Sequence, residues 1–147
     1  MAEMKRKAYA EWKGGLKEGA GAASGESEAF QDVSMTFPSR FQEAAGSNPE
    51  ELIAAAHATC YSMALANQLE QAGATPKHIA TNVTVTLRQD GGDISIPAAH
   101  IVTSCQVDGI SEDEFQKVAD TVKQACPVSK LLAPGLESMT LEATLAS

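Results

Sequence analysis

The sequence predicts a single domain over residues 1–147 in which strands and helices are mixed, and three observations carry that reading. An alanine-rich apolar stretch from Asn48 to Gly73 has helix start and stop signals at its ends. Two alternating segments flank Gly91-Gly92, as the arms of a hairpin do. A second helical pattern opens at Ser111 and stops where Cys126 meets Pro127.

Taken in order, Ala8 to Lys13 is strand-like, Gly14-Gly15 is a hairpin signal, and glycine and serine punctuate the chain from Gly19 to Gly25. Phe30 to Phe37 continues in extended form up to Pro38, after which Ser39-Arg40-Phe41 and Gly46-Ser47 lead into the first helix. Asn48 is placed to cap that helix, Pro49 suits its first position, Glu51 stands at the third, and Gly73 is the stop. Leu52, Ile53, Met63, Leu65 and Leu69 spread over more than one stripe, which predicts burial over most of the helix girth. The seven alanines between Ala54 and Ala72 leave room for another backbone to approach closely.

Ile79, Val83, Val85 and Leu87 alternate with polar residues as in a half-buried strand. Ile94 to Val107 returns after the Gly91-Gly92 turn, with Pro97 predicting an edge or a bulge. Ser111 and Glu114 form a capping box, Ile110 and Phe115 a hydrophobic staple, and Phe115, Val118, Ala119 and Val122 recur at helical spacing. Met139, Leu141, Ala143 and Leu145 alternate as a last strand.

Net charge is −8, which opposes nucleic-acid backbones and anionic membranes as partners. No apolar run approaches the ~20 residues that span a bilayer. The basic start Met1 to Lys7 lacks a following apolar core, so a cytoplasmic location is expected. Three cysteines, an odd number, do not suggest a disulfide scaffold and leave a transient catalytic disulfide open.

Cys60 lies within the first helix and Cys126 at the end of the second; if the fold joins them they form a reducible dithiol able to attack a peroxide and resolve the product. A mid-helix cysteine has no help from the helix dipole and needs a cation to ionise near neutral pH. Of the arginines Arg6, Arg40 and Arg88, Arg40 sits between Phe37-Pro38 and Phe41, a setting suited to an inward guanidinium, with Glu50 or Glu51 as its carboxylate partner. Glu50 precedes Cys60 by ten residues, a rise of ~15 Å. An antiparallel pair of these helices from two subunits would close that gap, so a two-fold homodimer is expected. Cys126, at a helix C-terminus, suits a resolving role, and Cys105 a structural one. The plainer readings are buried core cysteines and His57 as a hydrogen-bonded core residue or site wall. His78 and His100 lack metal-ligand spacing, so neither metal nor cofactor is expected.

The run from Asn48-Pro49-Glu50-Glu51 through His57-Ala58-Thr59-Cys60 to Leu65, followed by Ala125-Cys126-Pro127-Val128-Ser129-Lys130, closely resembles the OsmC branch of the OsmC/Ohr family of organic hydroperoxide reductases. The resemblance implies an α+β fold built as an intertwined homodimer, two long central helices packed between antiparallel β-sheets, with two active sites at the subunit interface. It makes Cys60 the peroxidatic and Cys126 the resolving cysteine, with Arg40 and Glu50 as the activating pair and His57 in the OsmC-type position. The implied activity is thiol-dependent reduction of organic hydroperoxides, and more weakly of hydrogen peroxide, through a Cys60 sulfenic acid and a Cys60–Cys126 disulfide. Leu52, Ile53, Phe41 and Tyr61, with His57, are the expected substrate contacts, and a dithiol on a lipoylated protein is the expected reductant. The alternative is a non-catalytic dimeric binding protein for a small hydrophobic ligand.

Overall fold

The computed structural model describes residues 1–146. It is an α+β chain that divides into two compact units, one from Met1 to Leu52 and one from Ile53 onward.

The first unit holds β1 (Ala8–Lys13), β2 (Ala20–Gly25) and β3 (Val33–Thr36) in an antiparallel sheet of that order. Trp12 pairs with Gly21, and a Cβ at Gly21 would lie 2.7 Å from the indole, so glycine is what lets the ring lie across β2. The indole Nε1 donates to the Gly15 carbonyl and closes the turn.

Extended backbone ends at Thr36, two residues before Pro38, which corrects the expectation of a strand through Phe37. Thr36 and Ser39 form a capping box, and this starts a short helix α1 (Phe37–Phe41) with Pro38 in its first turn. The Asn48 side chain then accepts from the Glu51 N–H at 2.8 Å and opens the long helix α2 (Pro49–Gln71). Asn48 also donates to the Ser39 carbonyl, fixing the start of α2 to α1.

In the second unit α2 ends in a left-handed Gly73, whose N–H reaches the Glu70 carbonyl while that of Ala74 reaches Leu69. Next come β4 (Thr75–Asp90) and β5 (Asp93–Asp108), an antiparallel hairpin turning at Gly91. Pro97 lies in the central strand of this sheet, so the edge expected for it is replaced by the bulge: the register shifts between Thr86 and Arg88, opposite it. Ser111 and Glu114 cap α3 (Glu112–Ala125) as expected. A short helix α4 (Pro127–Leu132) follows at once, because Pro127 fits a first helical position. The last strand β6 (Ser138–Ala146) pairs with β5 in parallel, giving the order β4-β5-β6. The expectation of purely antiparallel sheets therefore holds for β1-β2-β3 and not for β4-β5-β6. The reason is the helical crossover, since α3 and α4 carry the chain back to the end of the sheet where β5 began.

The core of this unit joins Tyr61, Leu65 and Leu69 of α2 to Ile101 and Cys105 of β5 and to Phe115, Val122 and Cys126. His57, Tyr61, Leu65 and Leu69 recur every fourth residue, so α2 buries one stripe. Ala55, Ala56, Thr59 and Met63 face outward, with Met63 69% exposed. The expected burial over most of the helix girth is thus not met within one chain.

Candidate active site

Cys60 and Cys126 come together in the second unit. Cys60 stands midway along α2; Cys126 is at once the C-cap of α3 and the N-cap of α4. The Cys126 thiol donates to the Cys60 sulfur at 3.2 Å, and both cysteines are free. A disulfide needs ~2.05 Å, so the pair closes with a movement of about 1 Å. Cys126 is fully buried, whereas Cys60 keeps part of its surface open, the arrangement in which one sulfur meets an incoming molecule and the other does not.

The electrostatics of Cys60 run against easy ionisation. Burial pushes its thiol above the ordinary value, a hydrogen bond with the Val128 backbone pulls it back, and the neighbouring Cys126 raises it further. A reactive thiolate therefore needs a positive charge beyond these groups.

His57 lies one turn before Cys60 on α2 and is wholly buried. Its Nε2 and the Ser129 hydroxyl of α4 share a hydrogen bond of 2.8 Å, while Nδ1 is buried without a partner. Burial pushes the imidazole pKa down, which keeps the ring neutral at pH 7. Among the described residues no group of three or more histidine, cysteine or acidic side chains is arranged to hold a metal ion.

Tyr61, expected to touch substrate, is instead fully buried and donates from its hydroxyl to the Ala119 carbonyl at 3.0 Å. Its position at i+4 from His57 puts it on the core stripe, so it offers no surface to a ligand. Cys105 is a core residue of β5 beside the Thr103 hydroxyl.

In the first unit Arg40 of α1 grips Glu50 in the opening turn of α2. Nη2 donates to Oε1 at 2.8 Å and Nε to Oε1 at 3.2 Å. The Glu50 side chain is 7% exposed and that of Arg40 35%, so the buried carboxylate orients a cation that remains partly open to solvent. Glu51, the other candidate partner, accepts from the Ser47 hydroxyl instead. Arg40 and Phe41 line a cleft of about 510 Å3 with Trp12, Leu16, Met35 and Phe37. Leu52 and Ile53 are half-buried on the following turn of α2.

Sequence reasoning missed Ser129 as the partner of His57, and the aromatic wall that Trp12 and Phe37 add around Arg40. One signal for Ser129 was present. It follows Cys126 by three residues, as His57 precedes Cys60 by three.

The chain is similar to known proteins in sequence and in fold. The model of the family described as OsmC-like protein matches residues 42–140. The peroxiredoxin OsmC of Escherichia coli K12 is 39% identical over 127 residues, 86% of this chain and 89% of the relative. An organic hydroperoxide resistance protein-like 1 of Staphylococcus saprophyticus is 30% identical over 111 residues, 72% of this chain and 75% of that one. Among solved structures, an OsmC-like protein from Mycoplasma pneumoniae superposes with a TM-score of 0.76 at 18% identity, covering 99% of this chain and 100% of its own. The organic hydroperoxide resistance protein OhrB of Bacillus subtilis gives 0.73 at 21% identity, over 94% and 98%. The two structures share the fold.

Proposed function

Because the chain belongs to the OsmC-like family, we propose that it is a thiol-dependent peroxidase that reduces organic hydroperoxides, and hydrogen peroxide more weakly. The observation that carries this reading is the 3.2 Å approach of Cys60, partly open, to the buried Cys126. The Cys60 thiolate attacks the distal peroxide oxygen; an S–O bond forms, the O–O bond breaks, and the leaving alkoxide takes a proton to become an alcohol. Cys60 is then a sulfenic acid. Cys126 attacks that sulfur, the S–O bond breaks, and water leaves as the disulfide forms. An external dithiol, such as a dihydrolipoyl group on a protein, exchanges with the disulfide and is itself oxidised to a cyclic disulfide.

The cation that Cys60 lacks among its neighbours is assigned to Arg40, held in place by Glu50. A guanidinium about 4 Å from a thiolate is worth about 4 kcal/mol at the effective dielectric of a partly solvated site, and it acts against the burial that raises the thiol. Two features favour its arrival from a second copy of the chain. The outward face of α2 carries the small Ala55, Ala56 and Thr59 and the exposed apolar Met63, with no charge among them. Residues 50 and 60 of one straight helix are ~15 Å apart along its axis. The homodimer therefore belongs to this proposal, with Phe41, Leu52 and Ile53 as apolar contacts that favour alkyl hydroperoxides.

The family match runs across the boundary at Leu52 and Ile53, which supports treating residues 1–147 as one functional domain. No helix among the described residues is long and apolar enough to cross a membrane. Free cysteines and a dithiol reductant suit the cytoplasm.

Steady-state turnover of cumene hydroperoxide with a dithiol is the test, and a Cys60→Ser variant that keeps full turnover ends the proposal. The apolar cleft around Trp12 and Phe37 favours a second reading, a binding protein for a small hydrophobic ligand. Thiol titration separates the two: one equivalent of hydroperoxide removes two thiols from the peroxidase and none from the binding protein.

A further inference from the structure

Two side-chain contacts tie α2 to the segment that follows α3, and they repeat at one interval. Cys60 meets Cys126 at 3.2 Å; His57, three residues earlier, meets Ser129, three residues later, at 2.8 Å. The partners step in opposite directions along the chain, like two rungs between antiparallel rails. Ser129 is the buried residue of α4, and Cys126 gives that helix no side-chain cap, so the bond to His57 holds α4 inward together with Val128, which packs against the core and whose backbone hydrogen-bonds the Cys60 sulfur. Packing alone does not account for His57. A leucine there would fill similar space, whereas the imidazole leaves Nδ1 buried and unpaired, which costs stability.

We infer that His57 and Ser129 are positioning residues for disulfide closure, pinning α4 so that the Cys126 sulfur stays within reach of Cys60 after Cys60 has been oxidised. This rests on the peroxidase reading. Oxidation places an oxygen on the open side of the Cys60 sulfur, and Cys126, 3.2 Å away in the reduced chain, must stay aligned opposite the new S–O bond. Its attack forms the S–S bond, breaks the S–O bond and releases water, with the Cys126 proton leaving in that water. The Cys60 sulfur is reduced in this step and the Cys126 sulfur oxidised. A second peroxide competes for the sulfenic acid and converts it to sulfinic acid. A pinned α4 favours closure over that loss, and a free one does not.

Single-turnover reaction of the reduced full chain with cumene hydroperoxide tests this, comparing wild type with Ser129→Ala and with His57→Leu/Ser129→Ala. The double variant leaves no unpaired polar atom, so it reports even if the single one is destabilised. In Ser129→Ala the peroxide is consumed at the wild-type rate, while disulfide formation slows on the order of tenfold or more, and sulfinic acid accumulates at Cys60. The double variant shows the same slowing of closure, because the bond is already lost in the single one. Closure at the wild-type rate in either variant overturns the inference, as does a slowing of both steps together in Ser129→Ala. A wild-type chain that loses no thiols overturns the peroxidase reading itself, so the two failures are told apart.

Discussion

The sulfur of Cys60 on the long helix and that of Cys126 at a helix junction lie 3.2 Å apart although 66 residues separate them in the chain. The contact joins a partly open thiol to a buried one. In the proposed cycle the open sulfur meets peroxide, and the buried one meets only its neighbour.

Removing Cys126 should leave the first step intact and abolish the cycle. Cys126→Ser is expected to consume roughly one peroxide per site and then stall or proceed to sulfinic acid at Cys60. Counting peroxide consumed per chain, with mass spectrometry of the Cys60 peptide, checks this.

Arg40 and Glu50 should fail together. Arg40→Met strands a carboxylate that is 7% exposed, and a stability loss of about 1–3 kcal/mol is expected in urea titration because the Arg40 side is partly solvated. Peroxidase activity should fall on the order of 100-fold if the guanidinium carries the charge stabilisation assigned to it. Arg40→Lys, which keeps the charge and loses the fork, should recover only part of either.

The outward face of α2 should be the dimer seam. Met63 is 69% exposed in the single chain, and Met63→Glu is expected to shift sedimentation from dimer to monomer at micromolar concentration and to lower turnover. A wild-type chain that sediments only as a monomer removes the second copy from the site.

Buried His57 sets a pH dependence with a definite sign. Its pKa is lowered on folding from the ordinary 6.5, so the unfolded chain takes up the proton first as pH falls. Its contribution to stability is present above pH 6.5 and is lost progressively below it. The decline between pH 7 and 5 should be shallower in His57→Leu than in wild type. Equal slopes in urea titrations at these pH values would contradict the burial seen for the ring.

The elements legible in the sequence are those whose signals are local. Asn48-Pro49 and Ser111-Glu114 carry helix starts within four residues, and the alternation from Ile79 to Leu87 carries a strand. The placement of Cys60 and Cys126 on the two helices singles them out as a candidate dithiol with Cys105 set aside, and the family resemblance adds their peroxidatic and resolving roles. What escaped was set at a distance. The parallel run of β6 beside β5 depends on the crossover, and the His57–Ser129 bond joins residues 72 apart. The short helices α1 and α4 are too brief for hydrophobic periodicity to register, and only the Thr36–Ser39 box and Pro127 mark their starts. Tyr61 was misplaced because an apolar stretch without clear periodicity does not say which stripe faces the core.

The central claim is that Cys60 and Cys126 are one redox unit. Peptide mapping by mass spectrometry after one equivalent of organic hydroperoxide tests it most directly. The account predicts a single new disulfide linking the peptides of Cys60 and Cys126, with Cys105 still a thiol; a link through Cys105, or both sulfurs unchanged while peroxide is consumed, would contradict it.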